Sequence, residues 1–141
     1  MDRTTGREQA ETTLTGLGIF AAILGAEPES FNGNNPVAVV HSKSLAILQD
    51  ARGDFTSPAE IFVTIYVKRE RTASQTDKDA IEDTLDRLTR AAIRALWNAF
   101  YEKAANLQIG PSEAGYPQRQ FDDSPYRMER FAVRFDDDAE E

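Results

Sequence analysis

The side chains able to do chemistry are few and poorly placed for it. His41 is the only histidine, Ser42 and Ser44 lie beside it, and the chain has no cysteine. Successive residues of a strand point to opposite faces, so these neighbours do not form a nucleophile and base. A single histidine at a strand end is read as structural. The lack of cysteine excludes a disulfide framework, a thiol nucleophile, a Cys-ligated zinc and an iron–sulfur cluster. Gly16-Leu17-Gly18 lacks the Lys and the strand–turn–helix setting of a phosphate loop. Asp77-x-Asp79 and Asp136–Asp138 do not have calcium-loop spacing. Helix capping accounts for the first cluster and solvation for the second. No catalytic residue, cofactor or metal is expected, and the chain does not read as an enzyme.

The length of 141 residues fits one domain, able to bury roughly two thirds of its unfolded surface. There are 16 Lys and Arg against 24 Asp and Glu, a net charge of −8, which argues against nonspecific binding to phosphate backbones. Much of that excess sits at one end. Asp136, Asp137, Asp138, Glu140 and Glu141 are five acids; without them 16 bases face 19 acids. The parse is a domain over 1–135 and an acidic tail over 136–141. The tail reads as a solubilising extension or as a contact for a partner or for DNA-facing repulsion. The apolar stretch Leu14 to Leu24 is too short and too interrupted to span a membrane, and no membrane partner is expected.

The expected architecture is α+β: a mixed, mainly antiparallel sheet with an N-terminal helix and one long helix packed on it. Ala10, Leu14, Leu17, Ala21 and Leu24 recur at helical spacing and predict a helix over 7–24, ended by Gly25. The run Ile19–Leu24 also reads as a strand. Asn32-Gly33 marks a turn within the loop 26–35, and Pro36–His41 predicts a strand. Leu45–Leu48 suits a continuation of that sheet, followed by a polar loop over Gln49–Pro58. In the strand 59–70, Ile61, Val63, Ile65 and Val67 share one face, and Phe62, Thr64, Tyr66 and Lys68 the other. Apolar residues on both faces imply that both are at least partly covered.

A helix over 77–106 is predicted next, capped by Thr76 with Asp79. Ile81, Leu85, Leu88, Ala92, Ala95, Leu96 and Ala99 form its inward stripe. Gly110, Pro111, Gly115 and Pro117 punctuate a loop, and Asp122-Asp123-Ser124-Pro125 a turn. Tyr126–Phe135 closes the domain as a strand. Its apolar face switches near Glu129, which implies a bulge or two halves with different neighbours.

Two features suit an interface. Trp97 lies about 160° round the helix from Ile81, at 100° per residue, with Ile93, Tyr101 and Ala104 on the same outer side. Trp and Tyr with aliphatic flanks anchor many protein contacts, although the chain's own loops would cover such residues equally well. Arg87, Arg90 and Arg94 lie opposite the inward stripe and read as a solvated face. Arg130 and Arg134 share a face of the last strand and suit a charged contact between subunits. The candidate interface residues are Ile93, Trp97, Tyr101, Arg130 and Arg134.

The chain resembles the tail terminator family of long-tailed bacteriophages, the lambda type. The likeness runs through Phe31-Asn32-Gly33, Pro36–Val40, the strand Ala59–Val67, the helix from Asp77, Gly115-Tyr116 through Arg119, Asp122-Asp123 and the strand Tyr126–Phe135. It implies a virion protein forming a hexameric ring on the head-proximal end of the tail tube. Such a ring ends tube polymerisation and meets the head–tail connector, while DNA passes through its lumen without specific binding. Its partners would be copies of itself, the tail tube protein and the connector or stopper protein; it would carry no catalytic residues. The longer helix and the acidic tail depart from the family's pattern. A neck or head-completion stopper ring has similar composition, and a cytosolic peptide-binding adaptor or a small carboxylate enzyme are more distant readings.

Overall fold

The computed structural model describes residues 1–42, 48–49, 55–56, 58–69, 74–117, 121–122 and 124–136. Five strands form one sheet in the spatial order Ala22–Leu24, Val37–Ser42, Pro58–Lys68, Tyr126–Asp136, Gln108–Gly115, with two helices on one of its faces. The chain is α+β, as its sequence pattern predicts.

Helix α1 (Arg3–Leu17) begins at Asp2, whose side chain accepts from the Thr5 N–H, and ends at Gly18. Gly18 adopts φ +67°, and its N–H donates to the Thr15 carbonyl. A left-handed cap there stops the helix seven residues before the expected Gly25. The run after it is therefore free to extend, and β1 (Ala22–Leu24) pairs parallel with β2 (Val37–Ser42). Gly6, Ala10 and Leu14 are the buried face of α1. A Cβ on Gly6 would stand 2.5 Å from Phe135 Cζ, so the missing side chain sets how closely α1 approaches the sheet.

A separate two-stranded sheet pairs β3 (Leu48–Gln49) with β4 (Phe55–Thr56); β3 starts at the last residue of the run expected to continue the main sheet, and Gln49 and β4 lie in the span expected to be loop. Residues 45–47 lie outside the described set. Strand β5 (Pro58–Lys68) is central, antiparallel to β2 on one side and to β7 (Tyr126–Asp136) on the other. Its alternation works as the sequence implies. Ile61, Val63, Ile65 and Val67 join the core beneath the helices, whereas Tyr66 belongs to a second cluster on the opposite face.

Helix α2 (Gln75–Phe100) starts two residues earlier than predicted. Ser74 is the cap, bonded to the Asp77 N–H while the Asp77 carboxylate accepts from the Ser74 N–H. Both Ser74/Asp77 and Thr76/Asp79 have capping spacing; Ser74 forms the box. Leu85, Leu88, Thr89, Ala92, Leu96 and Phe100 are buried. The helix ends at Phe100, six residues before the expected limit, and Asn106 turns the chain with φ +56°.

Residues 108–115, expected as loop, form the edge strand β6 (Gln108–Gly115) along β7. Proline, which cannot donate a ladder hydrogen bond, is tolerated at an edge. The register shifts between Ile109 and Ser112, so the irregularity lies in β6 and not in β7. The pairing of β7 with β5 is continuous from Asp136 to Tyr126. The switch of apolar face in β7 instead reflects two neighbourhoods. Phe131, Val133 and Phe135 pack under the helices, and Tyr126 with Met128 packs into the second cluster.

Candidate interaction surfaces

The sheet face away from the helices is covered over one half by a knot of aromatics. Phe31 stacks on Phe121 with centroids 4.2 Å apart, and Tyr66 and Tyr126 pack around them. Two loops bring Phe31 and Phe121 there, and Asp122 joins the loops. Its carboxylate accepts from the Ser30 hydroxyl and, at 3.0 Å, from the Gly33 N–H. Asn32 and Gly33 take φ +52° and +77°, the turn geometry their types suggest. These bonds hold the Asp122 carboxyl below its ordinary pKa. Burial, with Glu27 nearby, pushes the Tyr66 phenol up to about 12. Sequence reading places Phe31 in the loop 26–35 and Asp122 at a turn, and Tyr66 and Tyr126 in strands; the signal it misses is large aromatics inside turn-rich segments.

The other half of that face carries the predicted arginines. Arg130 Nε donates to Thr64 Oγ1 at 2.9 Å, and its guanidinium lies 5.4 Å from the Phe62 ring centroid. Arg134 pairs with Glu60 at 3.2 Å and is half exposed. These side chains, with Glu113 and the Gly110–Ser112 bulge, line a shallow groove of about 410 Å³. Arg130 is thus held within its own subunit by an aromatic face and a buried hydroxyl, whereas Arg134 remains accessible. Arg127 belongs to the helix side: it binds Glu82 of α2 at 2.5 Å and the Gly115 carbonyl at 2.6 Å. Its guanidinium also lies 4.7 Å from the centroid of the exposed Tyr116 ring.

On the opposite side of the molecule, α2 presents Trp97 and Tyr101. Their exposures are 42% and 63%, among the largest for apolar side chains here. The other two residues assigned to this side turn inward. Ile93 is half-buried and packs against the core beneath the helices, because it lies on the flank of the buried stripe. Ala104 is buried because the helix has ended before it, and its helical angle no longer applies. Of the five candidate interface residues, Ile93 packs inward and the other four fall in two patches. Trp97 and Tyr101 form one, Arg130 and Arg134 another, and the sheet with its helices separates them.

Among the described residues the groups suited to chemistry stay dispersed. No set of three His, Asp or Glu side chains is placed to hold a metal ion among the described residues. His41 lies 5.5 Å from the Phe62 ring, and its Nδ1 is buried without a hydrogen-bond partner among them. Burial first, and Arg130 second, hold its pKa below the ordinary value. Among the described residues no helix is long and apolar enough to cross a membrane. No protein-family model and no curated protein sequence matches this chain.

Proposed function

We propose that this chain is a structural subunit that assembles with copies of itself into a ring, and that the ring caps the head-proximal end of a phage tail tube and joins it to the head–tail connector. A closed ring needs head-to-tail contacts, hence two different surfaces on each subunit. The observation that carries the reading is the placement of Trp97 and Tyr101 on the outer side of α2, with Arg134 exposed on the opposite side of the sheet. Hot spots at protein interfaces are enriched in these three residue types. Among the described residues the titratable groups are dispersed, and the groove beside Arg130 and Arg134 is shallow and open. The assignment to the tail rests on the resemblance in sequence layout, and the ring reading on the two surfaces.

Electron microscopy of tail tubes polymerised with and without the chain tests it. Terminated tubes of limited length, capped at one end, are the expected result. Rings that bind heads and leave tube length unchanged would assign the chain to the neck as a stopper. Tubes that neither cap nor shorten, with a chain that stays monomeric, would overturn the proposal.

A further inference from the structure

Charge is segregated along α2. Asp77, Asp79, Glu82, Asp83 and Asp86 all precede Arg87, and between Arg87 and Tyr101 there is no acid. Arg87, Arg90 and Arg94 are exposed along that second half. At 100° per residue, these three and Trp97 and Tyr101 fall within about 80° of helix surface. The result is one ridge, three arginines with Asp83 and Asp86 beside the first two, leading into two tilted aromatics whose centroids are 5.9 Å apart. The helix dipole favours cations toward the C-terminus, but that effect fades beyond the last turn and does not account for a ridge this long.

The chain also ends in the complementary chemistry. Asp137, Asp138, Glu140 and Glu141 follow Asp136 within five residues. Asp136 is anchored: its N–H donates to the Ala105 carbonyl at 3.0 Å, and its carboxylate accepts from Asn106 at 2.7 Å. Asp136 thus stands close to the C-terminal end of α2 of its own chain. A path from there onto the ridge of the same chain would first cross the negative end of that helix dipole, whereas the ridge of a second copy is approached from outside.

We propose that the ridge Arg87–Arg90–Arg94–Trp97–Tyr101 is the docking surface for the acidic C-terminal segment, residues 137–141, of a second copy of this chain. The contact is heterologous, one end of β7 against the outer side of the neighbouring α2, which is the type that closes into rings. Arg134, on the donating side, is already neutralised by Glu60 and does not repel the ridge. This inference rests on the ring reading and names its contact.

Sedimentation of the full chain at low and high salt, with the emission of Trp97 (the single tryptophan) as second readout, tests it. Assembly of the unaltered chain, weakened at least tenfold by 0.5 M salt, with Trp97 emission shifted to the blue, is the expected result. Ending the chain after Asp136, or the triple change R87E/R90E/R94E, should each weaken assembly at least tenfold while helical content is kept. Combining R87E/R90E/R94E with D137K/D138K/E140K/E141K should restore it. Rings that form equally well without residues 137–141, or a swapped pair that fails to recover, would overturn the contact and leave the ring standing. An unaltered chain that stays at 15.7 kDa would overturn both.

Discussion

Trp97 and Tyr101 stand one turn apart on the outer side of α2, their ring centroids 5.9 Å apart and both rings open to solvent. The pair adds little to the subunit's own core, which Leu85, Leu88, Ala92, Leu96 and Phe100 make from the opposite side of the same helix. Trp97→Ala should therefore separate two properties. Assembly should weaken by about 30-fold, the ~2 kcal/mol typical of an aromatic hot spot. The urea midpoint of the isolated subunit should move little, as for exposed positions generally. Sedimentation and urea melts on one preparation check both halves. Lost stability with unchanged sedimentation would place Trp97 in the fold and not in the interface.

Gly6 governs how α1 seats on the sheet. Gly6→Ala brings a methyl to 2.5 Å from Phe135 Cζ, and that ring is itself packed against Phe100 with centroids 5.9 Å apart. The ring has little room to yield, and overpacking of this kind costs about 1–3 kcal/mol. Gly16→Ala, where a Cβ meets nothing within 4 Å, should instead stabilise α1 by ~1 kcal/mol. Opposite shifts of the urea midpoint for the two alanines are the expected outcome.

Asp122 makes a pH-dependent joint between the two loops that hold Phe31 and Phe121. Its folded pKa lies below the ordinary value, first through the Ser30 hydroxyl and then through the Gly33 N–H. A depressed acid contributes stability that is fully present above its unfolded pKa and lost as pH falls through the folded one. Protection of the Gly33 amide, taken against its intrinsic exchange rate at each pH, should therefore fall only as pH drops below about 4. In Asp122→Asn that protection should already be low at neutral pH and should not change on acidification, which exchange monitored by NMR would detect.

His41 is half-buried and should resist protonation. Burial and Arg130 lower its pKa, so on acidification the unfolded chain takes up a proton first. The stability it contributes is complete above about 6.5 and is lost as pH falls toward the folded value. An NMR titration of the imidazole should give a midpoint below 6.5, and His41→Leu should flatten the fall of stability on acidification below about pH 6.5. A midpoint at or above 6.5 would show that the ring is solvated.

Much of the fold was legible where one local signal dominated. The two-residue alternation of β5 assigned Ile61, Val63, Ile65 and Val67 to one side and Tyr66 to the other without ambiguity. Legibility failed where two signals competed or where tertiary contacts overrode propensity. Gly18 and Gly25 are both plausible helix ends, as Ser74 and Thr76 are both plausible caps. Residues 108–115 carry strand breakers, yet β7 supplies a partner for them at an edge where a proline is tolerated. The exposed aromatics of the candidate surface could be read from helical angle as far as Tyr101. Ile93 and Ala104 could not, because flank packing and the helix end are set by the rest of the chain. The clamp of Asp122 on Ser30 and Gly33 joins residues about ninety positions apart and has no local signature.

Native mass spectrometry of the full chain tests the central claim, that the protein works by assembling with itself, most directly. The account predicts a closed species at about 94 kDa, six times the 15.7 kDa chain, formed alone or on addition of tail tubes and diminished by Trp97→Ala. A single species at 15.7 kDa at every concentration, with tubes present or absent, would contradict it.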